Sequence, residues 1–146
     1  MAKQLWQGYE EAETTILSTE LNSLVDGGNI ISASFNNTAD LFVFEDVEIL
    51  VKSVTTPAAD AHIKLYILPS VDGTNFADGS DSIDPADSNE VYTVLVRAVA
   101  ADQYHTFRGI ILPPGFYKYL IMQELGVTMA ATLNTLKRRP YSLKTI

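Results

Sequence analysis

Between Leu41 and Lys52 the side chains alternate with a period of two. Leu41, Val43, Val47, Ile49 and Val51 share one parity, interrupted by Glu45. Phe42, Phe44, Asp46, Glu48, Leu50 and Lys52 occupy the other. Successive side chains of a strand point to opposite faces, so this pattern demands a half-buried strand and excludes a helix. Glu45 and Asp46 in the middle mark a bend or bulge.

The alternation resumes at 62–68, with Ile63, Leu65 and Ile67 facing in, His62, Lys64 and Tyr66 facing out, and Pro69 closing the strand. Further strands are predicted at 14–18, 30–35, 92–97, 104–112, 116–122 and 127–133. Asp26-Gly27-Gly28, Pro113-Pro114-Gly115 and Leu125-Gly126 supply turns. The segment 137–142 adds a last edge strand. A 3.6-residue period shows only weakly, over 10–24. So many short strands in one chain must bury their apolar faces against each other. The expected fold is all-β, an antiparallel two-sheet sandwich, jelly-roll-like, with Val43, Ile49, Ile63, Leu65, Ile67, Leu95, Ile111 and Leu120 in the core. Residues 1–14 read as an N-terminal arm and 15–146 as the β-sandwich domain with a basic C-terminal tail.

A chain of 146 residues supplies one domain and a core without disulfides. There is no cysteine, which excludes thiol chemistry and cysteine-ligated zinc. No run of about 18 apolar residues exists to span a membrane, and the first ten residues lack the apolar stretch of a signal peptide. The net charge of −8 is uneven. Residues 1–102 carry 17 of the 18 acids and a balance of −13, whereas 103–146 carry +5. Overall acidity argues against direct nucleic-acid binding. The basic end can pair with the acidic body or dock on an acidic neighbour.

Catalytic signatures are missing. His62 lies on an outward parity and His105 is half-buried by pattern; two histidines without cysteine provide few ligands. No Gly-x-Ser-x-Gly and no phosphate loop occur. Neither a catalytic residue, a cofactor nor a metal is expected. The long acidic segment 70–90 offers Asp72, Asn75, Asp78 and Asp81 as hard oxygen ligands, but without the twelve-residue calcium-loop spacing. A solvated loop is the simpler reading. Asn75 and Asp78 with Phe76 or Tyr92 as a stacking platform would suit a sugar.

Four segments carry a resemblance: Leu21-Asn22-Ser23-Leu24; Leu65-Tyr66-Ile67-Leu68-Pro69-Ser70-Val71-Asp72-Gly73-Thr74-Asn75-Phe76-Ala77-Asp78-Gly79; Arg108-Gly109-Ile110-Ile111-Leu112-Pro113-Pro114-Gly115-Phe116-Tyr117; and Asn134-Thr135-Leu136-Lys137-Arg138-Arg139-Pro140-Tyr141. Together, across residues 20–142, they resemble small virion structural proteins of tailed bacteriophages, of the capsid decoration or cement type. The resemblance implies a non-enzymatic protein on the outer surface of the capsid, assembled in the host cytoplasm. It would bind the major capsid protein and its own copies, as a homotrimer. The competing class is a tail or head-fibre component, or a carbohydrate-binding β-sandwich module that recognises a host surface ligand.

The proposed capsid or inter-subunit contacts are Trp6, Tyr9, Arg138, Arg139 and Tyr141. They are aromatic or forked cationic groups near the chain ends, suited to anchoring an interface. Phe42, Phe44, Tyr66 and Tyr119, on the parity read as outward, would pack between copies or under a second sheet face.

Overall fold

The computed structural model describes residues 4–6, 9 and 11–145. Eleven strands form in chain order: β1 (Gln4–Trp6), β2 (Thr14–Leu17), β3 (Asn29–Ile31), β4 (Phe35–Asn36), β5 (Phe44–Val51), β6 (His62–Ser70), β7 (Glu90–Leu95), β8 (Gln103–Ile111), β9 (Phe116–Glu124), β10 (Thr135–Tyr141) and β11 (Leu143–Thr145). One sheet has the order β2-β10-β5-β8. The other runs β3-β9-β6-β7, with β4 also paired to β9, and every pairing is antiparallel. From β5 to β6, β7 to β8, β8 to β9 and β9 to β10 the chain crosses between sheets, which makes a two-sheet, jelly-roll-like sandwich. β1 pairs with β11, joining the two chain ends.

The core lies between the sheets. Val47, Ile49 and Val51 of β5 face Ile63, Leu65 and Ile67 of β6 and Tyr117, Tyr119 and Ile121 of β9 across one apolar cluster. Outward residues of β5 alternate with these strictly. β6 and β9 break that alternation, because Tyr66, Leu68 and Leu120 are buried on the opposite face as well. What buries them is the 70–90 segment, folded back over that face. Asp81 accepts the Ile31 amide at 2.8 Å, Asp84 accepts the Asn29 side-chain amide at 2.8 Å, and the Ala77 amide bonds the Pro69 carbonyl. Gly79 (φ +147°) lets the backbone lie close to the sheet: a Cβ there would sit 3.0 Å from Leu68 and 3.2 Å from Leu120. The acidic loop is thus a packed cover, with Asp72, Asp81 and Asp84 used as acceptors. Tyr66 and Tyr119, expected on an outward face, are both interior, one under this loop and one between the sheets.

Three expected core positions are on the surface: Val43, Leu95 and Ile111. In β8 the reason is a bulge. Arg108 and Gly109 together face Asp46 of β5, and the register shifts between Glu45 and Val47. Gly109 adopts φ +67° and its amide bonds Asp46 Oδ1 at 2.9 Å. One extra residue reverses the facing of every later side chain in the strand, so Ile110 is 3% exposed and Ile111 72%. In β7 the inward parity belongs to Val94, with Val96 beyond it, and Leu95 points out. Val43 precedes β5 and touches β8 through its carbonyl, which accepts the Leu112 amide.

Two further expectations fail. Residues 127–133 form no strand; they plug one end of the sandwich, with Met129 and Ala130 buried. Their backbone groups are satisfied by Ser23, Leu24 and Lys52 and by the side chains of Gln123 and Asn134, rather than by a ladder. The basic tail is not an edge strand either, because β10 lies inside its sheet between β2 and β5.

The bulge gives a direct test. Ile110→Ala should destabilise the protein by about 2–5 kcal/mol, and Ile111→Ala by less than about 0.5 kcal/mol. Equilibrium urea unfolding of both variants reads the difference, and equal losses would place the bulge elsewhere.

Candidate functional site

The alternation that packs β5 carries a carboxylate into the core. Glu45 shares the inward face with Val47, Ile49 and Val51 and is 0% exposed. β10 places Arg138 on the same side of the same sheet. Arg138 Nη1 lies 3.0 Å from Glu45 Oε1, close enough for an ion pair although not aligned as a hydrogen bond. Two tyrosines of the opposite sheet complete the cluster. Tyr119 donates to Glu45 Oε2, and Arg138 Nη1 donates to the Tyr117 hydroxyl at 2.6 Å. The guanidinium also stacks over Phe35 of β4, 4.1 Å from the ring centre. Burial pushes the Glu45 carboxyl up to about 7, against the opposing pull of Arg138 and the two hydroxyls. Tyr119 is raised well above its ordinary value by burial and by the Glu45 charge.

The outward residues of the same strands build a different surface. Register sets Tyr141 beside Phe44, Arg139 beside Asp46 and Lys137 beside Glu48 on β10 and β5, with Thr106 of β8 beside Glu48 and Tyr104 beside Leu50. Tyr9 lies over this face. Its hydroxyl donates to Asp46 at 2.6 Å, its ring meets Tyr141 edge-on at 5.7 Å, and the Arg139 guanidinium sits 4.2 Å above it. Tyr141 stacks on Phe44 at 5.6 Å. Lys137 pairs with Glu13 at 2.9 Å, and Arg139 Nε donates to the Glu11 carbonyl. Between Tyr9 and β8 a groove of about 190 Å³ is lined by Glu13, Asp46, Glu48, Thr106, Arg108, Lys137 and Arg139 among others.

Of the five contact residues expected from sequence, the structure brings Tyr9, Arg139 and Tyr141 together on this outer face. Arg138, though only one position away from Arg139, points into the sandwich and is engaged there. The Trp6 side chain lies outside the described residues; its backbone pairs with Leu143. The basic tail therefore pairs with the acidic body through Glu13, Glu45 and the Glu11 carbonyl. Sequence reading passed over Arg108, Glu48 and Tyr104. Their signal was outward parity with a charge or a ring, shared with many surface residues.

The two histidines belong to different sheets. His62 Nε2 meets Glu124 at 2.6 Å, and His105 is half-buried with its pKa lowered by burial and by Arg97. In the 70–90 segment, Asp72 is consumed by its own turn. It accepts the Thr74 and Asn75 amides at 2.8 Å and the Ser70 hydroxyl, which hold it well below the usual carboxylate range. Phe76 is covered by the Lys118 ammonium at 4.3 Å, while Tyr92 sits on β7 against Phe107 and donates to the Arg108 carbonyl. Asn75 and Phe76 line an open apolar groove with Val71, Pro113 and Pro114, and Tyr92 is not among its lining residues. Among the described residues no group of three or more His, Cys, Asp or Glu is placed to hold a metal ion.

No protein-family model and no curated protein matches the chain. Solved structures with a related fold exist. A structure of the infectious bursal disease virus Gx strain gives a TM-score of 0.46 at 10% identity, covering 97% of this chain and 32% of that one. The SPBc2 prophage-derived protein YomS gives 0.39 at 12%, covering 97% and 96%. CBM32-1 from a family 31 glycoside hydrolase of Clostridium perfringens gives 0.32 at 14%, covering 97% and 94%. This chain spans about a third of the length of the first. At identities of 10–14% and TM-scores of 0.46 or less, these likenesses carry no reading of function.

The buried carboxyl generates a pH prediction. Glu45 holds its proton to about pH 7 when folded but only to about 4.5 when unfolded. Folding therefore takes up a proton between those values, and stability falls as pH rises from 4.5 to 7. Chemical denaturation across that window should show a flatter dependence in Glu45→Gln than in the parent. Parallel curves would mean that Glu45 does not titrate there.

Proposed function

We propose that this chain is a non-catalytic structural module of a viral particle, a decoration protein that holds to the outer shell by protein–protein contact. The observation that carries the reading is a largely apolar end of the sandwich. Val71 is 99% exposed at the start of the 70–90 segment. It shares a groove with Phe76, Pro113 and Pro114, and a second groove on the other flank of the prolines is lined by Ile67, Val91 and Ile111. Leu41 and Val43 are exposed nearby, tied to this end through the Val43–Leu112 hydrogen bond. In a chain of net charge −8, a contiguous apolar surface is what a permanent protein contact needs and what a free monomer avoids. The resemblance of residues 20–142 to tailed-phage virion proteins points the same way. The shell would be the major capsid protein's lattice, and association with further copies as a trimer follows from threefold positions on such a lattice.

A second reading is favoured by the groove on the opposite kind of surface. The outer face of β2-β10-β5-β8 is open and polar, as a recognition face for a surface ligand would be.

The lattice reading is tested on particles. Val71→Asp and Ile111→Asp alter only exposed side chains, so each should keep the parent melting temperature within a few degrees. Both should reduce occupancy on shells stripped of native protein, and raised ionic strength should leave parental occupancy unchanged. Copy counting by quantitative mass spectrometry should give a number comparable to that of the major capsid protein. Undiminished occupancy in both variants, or a handful of copies per particle, would overturn the proposal.

A further inference from the structure

We propose that the outer face of the β2-β10-β5-β8 sheet is a binding site for a neutral oligosaccharide, centred on Arg108, Glu48 and Tyr104; this rests on the surface-ligand reading. Three observations lead there.

The first is unused hydrogen-bonding capacity. In the groove, Lys137 is taken by Glu13, Asp46 by Tyr9 and the Gly109 amide, and Arg139 by the Glu11 carbonyl and the Tyr9 ring. Among the described residues no hydrogen bond or ion pair engages the Arg108 guanidinium or the Glu48 carboxylate. The bulge at Gly109 is what projects Arg108 outward beside Asp46. A forked donor and a two-oxygen acceptor on neighbouring strands suit vicinal hydroxyls, which each donate and accept.

The second is charge. The groove is lined by Arg108, Lys137 and Arg139 against Glu13, Asp46 and Glu48, and the remaining cation, Arg138, is neutralised inside by Glu45. A locally balanced patch on a strongly acidic chain does not attract a polyanion, and it lacks the positive excess that a phosphate backbone requires. A polyhydroxylated, uncharged ligand is the chemistry that matches.

The third is placement of rings. Tyr104 is 65% exposed on β8, two positions from Thr106 and four from Arg108. Four residues of strand span roughly 13 Å. The Tyr9–Tyr141–Phe44 group closes the far side of the face. An aromatic surface at one end, hydroxyl-binding groups in the middle and a wall of rings at the other end define a subsite row for a short sugar chain. Its CH faces would pack on Tyr104, and its hydroxyls would meet Thr106, Glu48 and Arg108.

The experiment is isothermal titration of the purified full chain with linear hexasaccharides of β-1,4-glucan, α-1,4-glucan, β-1,4-mannan and β-1,4-galactan, and with polygalacturonate and heparin. At least one neutral hexasaccharide should bind saturably. Arg108→Ala and Glu48→Ala should each weaken it about 10-fold or more. Tyr104→Ala should do the same, and Val71→Asp should leave it unchanged. Circular dichroism melts confirm that the variants fold. Binding that survives both Arg108→Ala and Glu48→Ala overturns the site. Binding of polygalacturonate or heparin alone overturns the neutral-sugar inference while leaving a surface-ligand function standing. No binding by any probe overturns both, and the lattice reading is then judged by its own particle assay.

Discussion

Glu45 and Arg138 hold a charge pair in the middle of a β-sandwich, and most of the architecture is arranged around it. A carboxylate and a guanidinium lose their hydration there, at a cost that mutual attraction offsets only with good geometry and further hydrogen bonds. Those partners come from the other sheet, as Tyr119 donates to Glu45 and Tyr117 accepts from Arg138. Phe35, also of that sheet, lies flat beneath the guanidinium. The cluster therefore joins β5 and β10 on one side to β4 and β9 on the other. It requires β10 to lie beside β5, since only a strand adjacent to β5 brings Arg138 to Glu45.

The pair also divides the work of the basic tail. Arg138 is turned inward, while Lys137 and Arg139 are turned outward by strand parity. Inward, the charge serves the fold; outward, it shapes a surface. The 70–90 cover has a matching consequence for the other sheet. Its acids bond back to Asn29 and Ile31, so the outer face of β9 and β6 is closed by the chain itself. Among the described residues, the apolar end around Val71 and Pro113-Pro114 and the outer face of β2-β10-β5-β8 are not closed in this way. They differ in chemistry, one largely apolar, the other polar and charge-balanced. The two proposed roles thus draw on different surfaces of one chain.

The fold class was legible because β5 is a strict alternation, and Ile49, Ile63, Leu65 and Ile67 fall where periodicity puts them, whereas Leu120 is buried on the loop-covered face instead of between the sheets. Facing was lost wherever the backbone departs from a regular ladder. Gly109 makes the bulge that exchanges Ile110 for Ile111, and no rule of period two contains it. Tyr66 and Tyr119 were read as outward since a one-sheet view assigns each strand a solvent face. A cover built from a remote loop is not visible in local pattern. Residues 127–133 look like a strand by composition, yet the Met129 and Ala130 amides are committed to Leu24 and Lys52 in two other segments. Glu45 stood out in the sequence as an interruption of the inward parity. What could not be read was that Arg138, 93 positions later, is its counter-charge, because sequence reveals charges but not which of them meet.

The measurement that bears most directly on this account is a thermodynamic cycle on the buried pair. Glu45→Leu leaves the Arg138 charge without its partner inside the sandwich and should cost about 3–5 kcal/mol in equilibrium unfolding; Arg138→Met leaves a buried carboxyl that can take up a proton, and should cost about 1–3 kcal/mol. Combined in one chain, they replace the pair by apolar groups, and the loss should be far smaller than the sum, near or below that of either single change. Additive losses, or single losses under about 1 kcal/mol, would contradict a structure in which these two charges meet across the core.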